Sequence, residues 1–168
     1  MIKVNFRVTG MYLGNSPRQE GFLTIEVKPK PTVYDIMKAF SKMAHNNKNP
    51  YVKSFVFSPA RPSAGDTINA IYIDYKKPPR TYLKKGLYVL QDNSTTNPIT
   101  TFQYYIYDEN FKQLNNNNKS KKFSEMPDVE IKNDYTVIIR QVSILMEPTN
   151  SNYISNKVKG LNEYINQD

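Results

Sequence analysis

The segment Lys76-Lys77-Pro78-Pro79-Arg80-Thr81-Tyr82-Leu83-Lys84-Lys85 places five positive charges in ten residues with no acid among them. Lysine and arginine are the groups that neutralise a phosphate backbone. Unstacked bases pack on aromatic rings, which Tyr82 and the flanking Tyr75 and Tyr88 would supply. The Pro78-Pro79 pair stiffens the segment and lowers the ordering cost of a binding event. Without these charges the formal net charge of the chain would fall from +8 to +3. The candidate nucleic-acid or partner-binding residues are therefore Lys76, Lys77, Arg80, Tyr82, Lys84 and Lys85. The same run also reads as a solvated connection between two strands, its lysines discouraging edge-to-edge sheet pairing.

Other chemistry is sparse. The chain has no cysteine, which excludes disulfides, thiolate metal sites and a cysteine nucleophile. Its one histidine, His45, lies in a polar Asn/Lys stretch at the expected end of a helix, where it would cap the last carbonyls. Asp66, Asp74, Asp108, Glu109, Asp128, Glu130 and Asp134 could do acid–base or metal work only if the fold converged them, and no Ca-loop spacing occurs. The six glycines are scattered singly, so no phosphate-cradling loop is present. Tyr104, Tyr105 and Tyr107 suggest a stacking platform, but no RNP-like pattern accompanies them and alternation divides them between two faces, as packing residues would be. The expectation is a non-enzyme with no cofactor and no metal site.

Composition sets the frame for these residues. At 168 residues, 39% hydrophobic and 12% aromatic, the chain can bury one core. It carries 23 Lys+Arg against 15 Asp+Glu, an excess that points to an acidic partner, RNA/DNA or a ribonucleoprotein or protein complex. A/T-rich codon usage also yields lysine, asparagine, isoleucine and tyrosine, and would account for much of the same excess. Charges interrupt the apolar residues of Met1 to Arg7, so neither a signal-peptide core nor a membrane span is expected, and cytoplasmic residence is the default.

Ile2, Val4, Phe6 and Val8 alternate with polar residues as a half-buried strand, and Leu23, Ile25 and Val27 do the same, predicting a hairpin. Thr32 and Asp35 form a capping-box-like helix start, and Val33, Ile36, Met37, Phe40, Met43 and Ala44 share one helical face. Strands are predicted at Phe55–Phe57, Ile68–Tyr75, Leu87–Leu90, Thr100–Tyr107 and Thr136–Leu145, together completing one sheet. Asn115 to Lys122 has nothing apolar to bury and reads as an exposed loop tip. Ile154, Val158, Leu161 and Ile165 recur at helical spacing, predicting an amphipathic C-terminal helix docked on the domain. The expected organisation is a single domain over 1–146 and a helical extension over 147–168.

A hairpin followed by a capped helix and further strands, with the helix entry Pro31-Thr32-Val33-Tyr34-Asp35-Ile36, resembles the ubiquitin-like and soluble-ligand-binding β-grasp domains. Phe102 to Asp108 and Val129 to Val137 are similar to the closing half of the transcobalamin C-terminal type of β-grasp domain, although Asn133-Asp134 stands where that pattern has a Gly-Asp turn. The resemblance implies an α+β fold, a β-grasp-like mixed sheet packed on one main helix. It also implies a domain that binds small ligands or partners. With the basic segment, the leading expectation is a small non-enzymatic basic protein that docks on nucleic acid or a nucleic-acid-handling complex. Such a protein would suit an anti-CRISPR-like inhibitor of a host nuclease carried by a phage or mobile element. The alternative is a small-ligand-binding or adaptor β-grasp protein.

Overall fold

The computed structural model describes residues 1–10, 23–59, 68–76, 83–89, 100–115, 123–144 and Lys159. Strand β1 (Ile2–Thr9) pairs antiparallel with β2 (Leu23–Val27), with Val4 opposite Ile25 and Phe6 opposite Leu23. Helix α1 (Val33–His45) follows. Its free N-terminal amides are met by a reciprocal cap: the Asp35 N–H donates to Thr32 Oγ1 at 3.2 Å, and the Thr32 N–H donates to Asp35 Oδ2 at 2.8 Å.

Strands β3 (Val52–Pro59), β4 (Ile68–Tyr75) and β5 (Gly86–Val89) come next, then β6 (Thr100–Tyr107) and β7 (Thr136–Ile144). They do not complete one sheet. A mixed four-stranded sheet runs β2-β1-β7-β6, with β1 and β7 parallel, and a separate antiparallel sheet runs β3-β4-β5. The reason lies in the helix. Val33, Tyr34, Ile36, Met37, Phe40, Ser41 and Ala44 are all buried, over an arc of about 160° at 3.6 residues per turn, wider than one sheet face covers. The helix therefore needs a layer on each side, and β3 supplies the second. The Ser41 hydroxyl donates to the Phe55 carbonyl of β3, which satisfies the one polar side chain on that buried arc.

One apolar cluster joins the layers, containing Val4, Phe6 and Val8 of β1, Phe40 of α1, Phe55 and Phe57 of β3, and Tyr104 and Ile106 of β6. Phe40 stands between the sheets, edge-on to Phe6 at 4.9 Å and to Phe55 at 5.0 Å between ring centroids. Tyr34 extends the chain of rings to Phe57 and Phe123, and Phe123 meets Tyr104 at 5.1 Å. The tyrosines of β6 are packing residues on both faces: Tyr104 lies in this cluster, and Tyr105 and Tyr107 lie with Ile138 on the other side of the sheet.

Of two asparagine-containing segments, one differs from the sequence expectation and the other forms its turn with a different residue. Asn115 is buried, its side-chain oxygen accepting the Ile106 N–H at 2.7 Å and its amide donating to the Tyr104 carbonyl at 3.0 Å. With the Leu114 N–H bonded to the Ile106 carbonyl, it closes the outer edge of β6, so the exposed tip does not begin at Asn115. A side-chain amide mimics a strand's donor and acceptor, a role that hydrophobicity does not flag. At Asn133-Asp134, Asp134 adopts φ 67°, its N–H donates to the Lys3 carbonyl, and Asn133 Oδ1 accepts the Lys3 N–H at 2.9 Å. Asn and Asp tolerate the left-handed region, so the turn forms without glycine.

The predicted C-terminal helix lies outside the described residues except for Lys159, which is exposed and helical. No helix among the described residues is long and apolar enough to cross a membrane.

Replacing Phe40 by Ala should cost about 3–5 kcal/mol, because the ring is wedged between two layers that cannot both collapse into the gap. Urea unfolding of Phe40→Ala measures this, and a cost near that of an exposed-site change would contradict the packing role. Burial, and secondarily Asp128, raise the Tyr104 phenol from 10.0 to about 12. Its folded pKa exceeds the unfolded one, so the associated stability is complete below pH 10 and is lost as pH rises toward 12. The unfolding midpoint should fall less steeply over that window in Tyr104→Phe than in the unsubstituted protein.

Candidate functional site

The connection between β4 and β5 carries the basic segment, and its described parts are Lys76 on one shoulder and Leu83, Lys84 and Lys85 on the other. Lys77, Arg80 and Tyr82 lie outside the described residues. Both shoulders are fixed. The Lys76 N–H donates to the Tyr51 carbonyl at 2.9 Å, and the Leu83 N–H donates to the Val8 carbonyl at 3.2 Å, where β1 runs on past its pairing with β2. Leu83 itself is buried in the main cluster.

Tyr75 and Tyr88 do not stand out as stacking surfaces. The Tyr75 hydroxyl donates to the Leu83 carbonyl, and the Tyr88 hydroxyl donates to the Lys84 carbonyl at 2.7 Å. The Tyr88 ring packs edge-on against Phe102. These two rings brace the shoulders from inside, which is what an amphipathic tyrosine does when its body is buried and its hydroxyl finds a carbonyl.

The lysines have different surroundings. Lys85 Nζ lies 3.6 Å from Asp74 Oδ1, and the same oxygen accepts the Tyr75 N–H at 2.8 Å. Lys85 is thus partly neutralised by an acid from its own hairpin, in a pair exposed at the lysine and half-buried at the carboxylate. Lys84 is exposed. The Lys76 ammonium reaches away from the hairpin and donates to the Asn47 side chain, just past the end of α1.

That contact joins the segment to a second basic group. Helix α1 ends with the Lys48 N–H on the Met43 carbonyl at 2.8 Å and the Asn47 N–H on the Ala44 carbonyl at 3.1 Å, with Asn47 at φ 57°. This is the Schellman pattern with asparagine in the left-handed position. Backbone amides thus satisfy Lys42, Met43 and Ala44, and His45 is an exposed last-turn residue, not the cap of the final carbonyls. Lys42, His45 and Lys48 are all exposed on this turn, where the negative end of the helix dipole favours cations. Sequence reading missed them because Lys76 and Asn47 are 29 positions apart and no pattern predicts that they meet.

Asp66 lies outside the described residues, and the candidate carboxylates within them show no grouping. Asp108 Oδ1 accepts the Asn110 and Lys112 N–H groups of its own turn at 2.8 and 2.9 Å, Asp134 sits in the β7 entry turn, and Asp74 faces Lys85. Among the described residues, no three His, Cys, Asp or Glu side chains are grouped to hold a metal ion. Comparison with protein-family models, with curated proteins and with solved structures finds no match for this chain.

Burial, then the charge of Asp74, raise the Tyr72 phenol above its ordinary 10.0, and Lys85 opposes the shift. Asp74→Asn should therefore lower the Tyr72 pKa and Lys85→Gln should raise it, opposite changes readable by NMR titration of the ring carbons. Equal or absent responses would contradict the Asp74–Lys85 geometry.

Proposed function

We propose that this protein is a non-enzymatic binder that docks a cationic surface onto nucleic acid, either free or within a nucleic-acid-handling complex. The observation that carries the reading is the contact of Lys76 with Asn47, which brings one lysine of the hairpin to the end of α1, where Lys42 and Lys48 are exposed. Fixed shoulders add to it, because a surface already ordered loses less entropy on binding. With Tyr75 and Tyr88 turned inward, phosphate contact takes precedence over base stacking, and the recognition is of backbone charge with little dependence on sequence.

The finer fold assignment belongs to the same proposal. A β1–β2 hairpin, a helix laid across it and a last strand entering parallel beside β1 support a β-grasp-like core, with β3-β4-β5 as an insertion that carries the basic hairpin. A scaffold of this kind, offering an exposed cationic surface, suits an inhibitor of a host nuclease.

The test is a salt series with labelled single-stranded DNA, duplex DNA and RNA. Affinity should fall linearly on a logarithmic salt scale, and each of Lys42→Gln, Lys48→Gln, Lys76→Gln and Lys84→Gln should reduce that slope by about 1 when its lysine contacts phosphate. Binding that ignores salt, or that survives the four changes together, overturns the reading.

A further inference from the structure

Three strands of the four-stranded sheet, β1, β7 and β6, are buried on both faces, yet α1 and the second sheet account for only one. Cross-strand register gives the inner rows as Phe6–Val137–Ile106 and Val8–Ile139–Tyr104, all of them in the main cluster. The outer rows are Asn5–Thr136–Tyr107, Arg7–Ile138–Tyr105 and Thr9–Arg140–Gln103. On that outer side Arg7 is 0% exposed, Thr136 1%, Thr9 2%, Ile138 3%, Tyr107 7% and Tyr105 9%.

The footprint of this burial is bounded. It spans β1, β7 and β6 but stops short of β2, where Thr24 and Glu26 are exposed, and short of Lys3 at the start of β1. Three strands at roughly 4.8 Å spacing are about 10 Å across between their axes, the width of a single α-helix. Along β1 the rows from Asn5 to Thr9 extend about 13 Å at the usual rise per residue.

We infer that the amphipathic stretch carrying Ile154, Val158, Leu161 and Ile165 lies across the outer face of β1, β7 and β6, its apolar stripe on Ile138, Tyr105 and Tyr107. These four side chains span about 16 Å of helix, matching the covered length. Residues 145–168 follow directly from β7, the middle strand of the covered patch, and residues 145–153 are long enough to return the chain along the sheet. Lys159 is helical and exposed, and at 3.6 residues per turn it points about 130° away from the centre of the stripe, the direction expected if the stripe faces inward. The opposite sheet also has a buried outer group, Val56, Ala70, Leu87 and Val89, but the connections 60–67 and 90–99 leave from its own strands.

NMR with labelled Ile, Leu and Val methyl groups in the full chain tests this directly. Cross-relaxation from the methyls of Ile154, Val158 and Leu161 to the rings of Tyr105 and Tyr107 is the expected result. Contacts from those methyls to Val56, Leu87 or Val89 overturn it, as does their having no contact with the domain, or finding Leu13 of the β1–β2 connection against Tyr105 instead. As a second readout, Leu161→Asp should lower the unfolding midpoint and Lys159→Glu should leave it nearly unchanged. Equal effects of the two substitutions contradict the inward-facing stripe.

Discussion

The position of Phe40 is the constraint on which the rest of the architecture depends. A single ring on α1 meets Phe6 of the mixed sheet on one side and Phe55 of the antiparallel sheet on the other, so the helix joins the two sheets at the centre of the core, while Tyr88 against Phe102 joins them directly at its margin. Aromatic pairs add directional preference to burial, here edge-on at both contacts, and so fix the rotation of the helix as well as its depth. The capping box then sets where the helix starts, and the Schellman turn sets where it stops. The Schellman turn at that second limit brings Asn47 beside Lys76.

Electrostatics follows from this scaffold. Basic residues in the last turn of α1 sit where the aligned peptide dipoles are negative, so the helix itself holds them at low cost. The hairpin contributes one lysine to the same place and partly neutralises another with its own acid, Asp74. Charge along a sequence is therefore a poor map of charge on a surface. Of the described residues from Lys76 to Lys85, the lysines are exposed and Leu83 is a buried anchor.

The parts of the fold legible beforehand were those set by local patterns. The hairpin of β1 and β2, the capped helix, and strands at 68–75 and 100–107 follow from alternation, spacing and a Thr-x-x-Asp start. The separation into two sheets was not legible, because an alternating strand states that it has a buried face without stating what covers it. Asn115 shows the same limit for polar residues: it opens a run of four asparagines that composition marks as solvated, whereas geometry sets Asn115 against a strand edge. At the candidate site, the basic segment was visible, but the inward turn of Tyr75 and Tyr88 and the partnership with the helix end depend on contacts between distant positions.

The parallel pairing of β1 with β7 has a consequence for how the chain reaches its native state. Lys3 is held by Asn133, 130 positions later, so the central ladder closes only after that whole intervening stretch has left the ribosome. Contacts of such high sequence separation slow folding, because loop closure must precede the reward. Until then the nascent hairpin has one free strand edge where β7 will sit, and the helix with its neighbouring meander must shelter Phe6 alone. The arrival of β7 is the step that converts a collapsed, loosely held assembly into a unique structure.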